Sequence, residues 1–283
     1  MPTVDVLGST IYYEESGSGA PVVLLHGNPG SSYLWRNVRP GLSRCRVLTP
    51  DLIGMGRSGK PDLSYSFADH ARYLDAWFDS LDLDGVVLVG HDWGGALAFD
   101  WASRHPERVR GVAFLEAIVK PIARSELAPP ALRRSEMVLD PANEEKLLGD
   151  DTLIRMAFTG GGVRTPVSDD DLQHYLAPYS TPESRRPVLA WARQIPLDGE
   201  PAELVTRVEA FDAWLAAATA VPKLLMTFEG AVLIDKGMVD WCAEHIAALE
   251  IVGCGPAGHH APEDRPKEIA EAISDWLDRH ALH

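Results

Sequence analysis

An aspartate stands where a strand turns abruptly into a helix. VVLVGHDWGGALAF (86–99) carries an apolar run into Gly90-His91-Asp92-Trp93-Gly94, after which small and apolar residues open a helix. Such a strand–turn–helix exposes its central side chain at the carboxyl edge of a sheet and holds the backbone there under strain. A side chain at Gly90 or Gly94, two residues either side, would collide with the neighbouring strand or helix. Serine is usual at the exposed position. A carboxylate there can displace a leaving group from an sp³ carbon, giving a covalent ester that water must then hydrolyse. The alternative is that Asp92 only caps the following helix. The strand and the paired glycines favour the nucleophile.

A second group of donors belongs to LLHGNPG (24–30), at the end of an earlier strand. A loop in that place supplies one backbone N–H of an anion hole, here Asn28, and the residue after the nucleophile, Trp93, supplies the other. Their side chains add an amide N–H and an indole N–H. Two neutral donors in an apolar pocket suit a large, weakly hydrated anion such as a departing halide. Taken singly, each residue reads equally well as a turn asparagine or a core tryptophan.

Positioning these groups requires a sheet. Short apolar runs alternate with longer amphipathic stretches, the pattern of a mostly parallel sheet flanked by helices. Strands are expected at Pro21–Leu25, Arg46–Thr49, Val86–Gly90, Val109–Leu115, Lys223–Thr227 and Leu249–Val252. Most are continuous hydrophobic runs, as in strands buried on both faces. Helical patterns cover Phe67–Leu81, Gly94–Arg104 and Pro262–His280. From about Ala117 to Val221 the alternation lapses into helical stretches without a strand. An α/β core of residues 1–116 and 222–283, carrying an inserted helical cap at 117–221, is the expected organisation.

HGNPGSSYLWRNV (26–38), DLIGMGRSGKPD (51–62) and GHDWGGALAF (90–99) together resemble haloalkane dehalogenases of the α/β-hydrolase fold. PESRRPVLAWARQIP (182–196) is similar to the cap, and GPAGHHAPED (255–264) to the histidine loop, of the subfamily whose acid follows the sixth strand. That subfamily also contains a coelenterazine-type luciferase. The resemblance spans nearly the whole chain and implies Asp92 as nucleophile, Asn28 and Trp93 as the halide-binding pair, His259 as general base and Glu116 as the acid that orients it. The order nucleophile, acid, histidine is that of this fold. A neutral imidazole can take a proton from water near pH 7, and a carboxylate fixes its tautomer. Glu229, after the penultimate strand, is the alternative acid, since other members of the fold place theirs there. His260 stands where the family usually has an aromatic residue, and the spacing to Glu263-Asp264 favours His259 as the base.

The implied activity is hydrolysis of haloalkanes to alcohol and halide, with no cofactor and no metal. Alternatives on the same scaffold are an epoxide hydrolase or natural-product tailoring hydrolase using Asp92, a luciferase-like oxygenase, and a catalytically silent small-molecule receptor. The segment from Lys120 to Met156 lacks aromatic residues where the family carries a tryptophan, so substrate range is the property most altered.

Two G-x-G-x-x-G matches read as turns: Gly54–Gly59 runs into Lys60-Pro61-Asp62, which breaks a helix start, and after Gly253–Gly258 only a terminal helix remains, with no further strand to complete a dinucleotide site. The 283 residues hold 46% hydrophobic and 24% charged residues, which excludes a disordered chain. Lysine plus arginine number 26 against 41 acids, a net charge of −15 that excludes nucleic acid as a natural partner. No apolar run is long enough to span a membrane, and no signal peptide is evident. Cys45, Cys242 and Cys254 are too few and scattered for a disulfide framework. A cytoplasmic monomer or small homo-oligomer acting on a small apolar substrate is expected.

Overall fold

The computed structural model describes residues 2–127 and 129–283. Among them β1 (Thr3–Val6), β2 (Ser9–Ser16), β3 (Pro21–Leu25), β4 (Arg46–Pro50), β5 (Val86–His91), β6 (Val109–Leu115), β7 (Lys223–Glu229) and β8 (Leu249–Pro256) form one sheet. Its order is β1-β2-β4-β3-β5-β6-β7-β8. The pairs β1/β2 and β2/β4 are antiparallel, and the others are parallel. The six expected strands are all present. β1 and β2 are additional, and their mixed polar sequences, TVDV and STIYYEES, follow from lying at the sheet margin with much of their surface in solvent.

Side chains of the central strands alternate between two cores. Val23, Leu25, Leu88, Val112 and Phe114 belong to one, whereas Val22, Leu24, Val87, Val89, Ala113 and Leu115 belong to the other. Each strand is therefore covered on both faces, which is why it is apolar without a break.

α1 (Phe67–Ser80) begins at a reciprocal cap, in which the Ser66 side chain accepts from the Asp69 N–H and the Asp69 side chain from that of Ser66. α2 (Trp93–Arg104) follows β5 directly. Between β6 and β7 come α3 (Pro129–Leu139), α4 (Glu144–Gly149), α5 (Thr152–Thr159), α6 (Asp169–Leu176), α7 (Pro182–Ala192) and α8 (Ala202–Ala217). That stretch holds no strand among its described residues, only isolated bridges such as Ile122 to Leu197. α8 packs along α2, beside the sheet. α9 (Lys236–His245) precedes β8.

The single C-terminal helix expected at Pro262–His280 is instead two, α10 (Ala261–Asp264) and α11 (Pro266–Arg279). The ring of Pro266 disfavours helical backbone at the residue before it, and Arg265 sits at φ −137°, ψ 47°. The proline then occupies the first turn of α11, where its missing N–H costs nothing.

Register brings three strand ends level. Leu25 pairs with Gly90, Gly90 with Phe114, and His91 with Leu115. From β3 the chain passes to β4 on one side and then to β5 on the other. A crevice opens beyond the carboxyl ends of strands where the order reverses in this way.

Candidate active site

Asp92 follows the last residue of β5 at φ 53°, ψ −124°. Its neighbours leave no room for side chains: a Cβ on Gly94 would lie 2.2 Å from the Leu25 carbonyl oxygen, and one on Gly90 would lie 2.3 Å from Gly95 Cα. The Asp92 carboxylate is buried and points back across the crevice to the loop after β3. There the Asn28 N–H donates to Oδ2 at 2.8 Å, and the Trp93 N–H lies near enough to favour the charged carboxylate. Burial pushes its pKa up. The nearby His259, these two N–H groups and Arg134 oppose that shift without cancelling it.

His259 lies in the loop between β8 and α10. Its Nδ1 is 3.1 Å from Glu116 Oε2, and its Nε2 is 3.8 Å from Asp92 Oδ1. With the carboxylate accepting at Nδ1–H, the bare nitrogen is Nε2, facing Asp92. Burial alone would lower the His259 pKa, but the Glu116 bond and the charges of Asp92 and Glu116 together raise it. Glu116, directly after β6, is fully enclosed. Its Oε2 accepts from the N–H groups of Val232 (2.8 Å) and Leu233 (3.1 Å), and its Oε1 from that of Ile234 (3.0 Å). Burial would raise this carboxyl group, yet the His259 bond and these backbone donors bring it below the usual range.

Glu229, by contrast, is exposed at the end of β7, and its carbonyl oxygen accepts from the Ala257 N–H at 3.2 Å. The structure brings Glu116, not Glu229, to the imidazole. His260 is buried against Phe158 at 4.7 Å between ring centroids, and its Nδ1 has no hydrogen-bond partner. Burial, with the nearby His259, His91 and Arg134, pushes its pKa well down, so it is neutral near pH 7. His91 donates from Nε2 to the His259 carbonyl oxygen at 2.8 Å, bracing the loop from beneath. Ring nitrogens of His91, His259 and His260 lie within 4.8 Å of one another, a convergence that the spacing along the chain does not announce.

Asn28, Asp92, Trp93, His259 and His260 line one end of a cavity of about 190 Å³, roofed by residues of α3, α7 and the segments beside them. One amide N–H of Asn28 donates to the Val188 carbonyl oxygen in α7 at 3.1 Å, so the side chain ties the β3 loop to the roof. Its second N–H has no such commitment. The Trp93 ring packs against Phe67 and Trp191, at 5.9 Å and 5.1 Å between centroids. Trp191, from α7, is fully buried and also lies against His70. Tyr175 and Tyr179 stay clear of the cavity. The Tyr175 hydroxyl bonds Glu263, and that of Tyr179 accepts from the Gly56 N–H at 3.2 Å.

Several participants lie beyond the sequence reading. The donors of Val232, Leu233 and Ile234 are backbone groups, and residue identity carries no trace of them. Arg134 and Ser135 of α3 also line the cavity. A polar residue on the roof-facing side of α3 is the only signal that marks them.

The α/β-hydrolase-fold family model matches residues 20–161. Haloalkane dehalogenases of Agrobacterium fabrum and Sphingobium indicum are each 40% identical to this chain over 98% of its length, covering 91% and 94% of their own. The crystal structure of the haloalkane dehalogenase DatA from Agrobacterium tumefaciens superposes with a TM-score of 0.93 at 40% identity, covering 99% of this chain and 96% of that one. That of DbeA from Bradyrhizobium elkani gives 0.94 at 38% identity, covering 99% and 98%. With its Asp-centred elbow and the histidine and glutamate gathered around it, this chain belongs to the haloalkane dehalogenase family of the α/β-hydrolase fold.

Proposed function

We propose that the protein hydrolyses haloalkanes to alcohol and halide through an alkyl ester on Asp92. One observation carries the assignment of roles. Asp92 Oδ2 is held by the Asn28 N–H, while Oδ1 faces the Nε2 of a histidine whose other nitrogen bonds Glu116.

In the first step Oδ1 attacks the carbon bearing the halogen. The carbon–halogen pair leaves with the halide, which the free amide N–H of Asn28 and the indole N–H of Trp93 receive. In the second step His259 Nε2 takes a proton from water as that water attacks Cγ of the ester. Negative charge develops on Oδ2, where the Asn28 N–H already points and the Trp93 N–H lies nearby. The bond from Cγ to the ester oxygen breaks, and the departing alkoxide takes the proton back from His259. Glu116 stabilises the imidazolium in between.

The helical insertion serves as a cap in this reading: residues 1–116 and 222–283 form the core and 117–221 the insertion, with α8 lying along α2. The substrate is small and largely apolar, and no residue of the scheme needs a cofactor. Buried, unpaired Cys45, Cys242 and Cys254 support a reducing, cytoplasmic setting, and no helix among the described residues is long and apolar enough to cross a membrane. A monomer or small homo-oligomer would satisfy the scheme, since one chain supplies every group.

An epoxide hydrolase reading would call for an acid on the roof, and the tyrosines of the insertion, Tyr175 and Tyr179, lie clear of the cavity with their hydroxyls engaged elsewhere. Halide release from 1-iodobutane, 1-bromobutane and 1,2-dibromoethane, followed by ion chromatography, tests the proposal with Asp92→Asn as control. Release by the wild type that disappears in the variant is the expected result. Silence from both proteins, together with opening of styrene oxide by the wild type, would replace it.

A further inference from the structure

The polar lining of the cavity comes from two sources. One is Asp92, Asn28, Trp93 and the histidines, and the other is α3 with Arg134 and Ser135. Ile118, Val138 and Ile195 are among its apolar lining residues. Arg134 is exposed to solvent and also lines this cavity, so its guanidinium can be reached from both, and other arginines of the region are paired with acids. Arg124 pairs with Glu136 and Asp198, and Arg193 with Glu144. Among the described residues no carboxylate pairs with Arg134, although the chain has 41 acids. Its charge nonetheless reaches Asp92, His259 and His260. Ser135 beside it is buried and offers a hydroxyl on the same helix.

We propose that Arg134 is a specificity residue forming an anion subsite, and that the preferred substrates are haloalkanes with a carboxylate or similar anionic group at the end remote from the halogen. The inference rests on the dehalogenase reading above for the halogen end and on Arg134 for the other. A halide leaves from the floor while the guanidinium holds the tail, so the chain between them lies along the apolar wall. In a protein of net charge −15 an anionic substrate meets repulsion elsewhere, and the unpaired guanidinium supplies the local exception.

The test compares 6-bromohexanoate with 1-bromohexane in the wild type and in Arg134→Gln, reading the ratio of their kcat/KM values. That ratio is expected to fall at least tenfold in the variant, chiefly through KM, and to fall in the wild type as salt is raised. A ratio unchanged by Arg134→Gln overturns the anion subsite, whatever the absolute rates. Calorimetric binding of hexanoate against 1-hexanol provides a readout without turnover. Hexanoate binding that Arg134→Gln abolishes supports the subsite even if neither bromide is hydrolysed, in which case the dehalogenase reading fails alone. Equal hexanoate binding by both proteins overturns the subsite while leaving that reading intact.

Discussion

The backbone N–H of Asp92 donates to the carbonyl oxygen of Glu116 at 3.1 Å. Both residues stand one step past the end of a strand, both have positive φ (53° and 45°), and their predecessors His91 and Leu115 are paired in the sheet. The ladder between β5 and β6 thus extends one bond further and braces two left-handed turns against each other. Such conformations cost on the order of 1–3 kcal/mol each and persist only where surrounding structure enforces them. Asp92 and Glu116 are therefore placed by one shared piece of backbone, independently of their side chains.

That independence makes Glu116 a clean target. Glu116→Gln keeps the backbone bond but removes the charge facing His259. Ester hydrolysis should slow by about 10²–10⁴-fold, the usual worth of assisted proton transfer, while the alkylation step proceeds. Glu229→Gln, at an exposed position, should leave turnover unchanged. Rapid-quench kinetics resolving burst from steady state separates the two, and a slow step in Glu229→Gln instead would exchange their roles.

His259 should change its proton affinity during the cycle. In the free protein the Glu116 and Asp92 carboxylates outweigh burial and hold its pKa above the ordinary value. In the proposed scheme alkylation neutralises Asp92, so the histidine becomes easier to deprotonate for its role as base. Asp92→Asn mimics that neutral state, and NMR titration should give a lower His259 midpoint than in the wild type. Where hydrolysis limits kcat, its acid limb should lie below the free-protein midpoint. The sign for stability is opposite to that of a paired acid. The contribution of protonated His259 is full below about pH 6.5 and is lost as pH rises through its higher folded value. Equal midpoints in the two proteins would remove Asp92 from the account.

Gly27 is held to glycine by the Asp92 side chain. A Cβ there would lie 2.3 Å from Asp92 Oδ2, so Gly27→Ala must push the carboxylate or the Asn28 loop aside. A displacement near 1 Å can cost about 10²-fold in rate, and overpacking costs about 1–3 kcal/mol. Activity should collapse in a protein that still melts cooperatively. Halide release and a thermal melt on the same preparation decide it.

Arg36 secures the histidine loop from outside. Its guanidinium grips Glu263 at 2.6 and 2.9 Å and reaches Asp171 of α6 at 3.0 Å, and the Glu263 side chain is only 4% exposed. Arg36→Met would leave a buried carboxylate bonded chiefly by the Tyr175 hydroxyl. Removing one partner of such a pair costs about 3–5 kcal/mol, equivalent to a Tm lower by ~10 °C in a chain of this size. Pairing Arg36→Met with Glu263→Gln should recover part of the loss.

What the sequence discloses follows from what is enclosed. β3, β5 and β6 read as strands because both faces are covered, and the turn at Asp92 is legible because glycines must flank it. β1 and β2, half in solvent, leave no continuous apolar run. Pro266 did carry the signal that splits the last helix, since it excludes Arg265 from helical backbone, and the amphipathic pattern on either side masks it. The assignment of Glu116 over Glu229 rested on resemblance, and the observed contact with His259 depends on where two loops meet in space. The three N–H donors to Glu116 and the Val188 carbonyl that accepts from the Asn28 side chain are backbone groups, which residue identity does not mark. Arg134 is silent in sequence because only the closed cavity shows which wall it lines.

The asymmetric grip on Asp92 has a consequence for where atoms end up. With Oδ2 held by the Asn28 N–H and Oδ1 free to attack from the side opposite the halogen, a chiral carbon inverts once. Water then enters at Cγ and never touches that carbon. In heavy-oxygen water, the first molecule of alcohol should therefore carry ordinary oxygen surrendered by the protein, and the isotope should appear in Asp92. Only later turnovers would pass it on to the product.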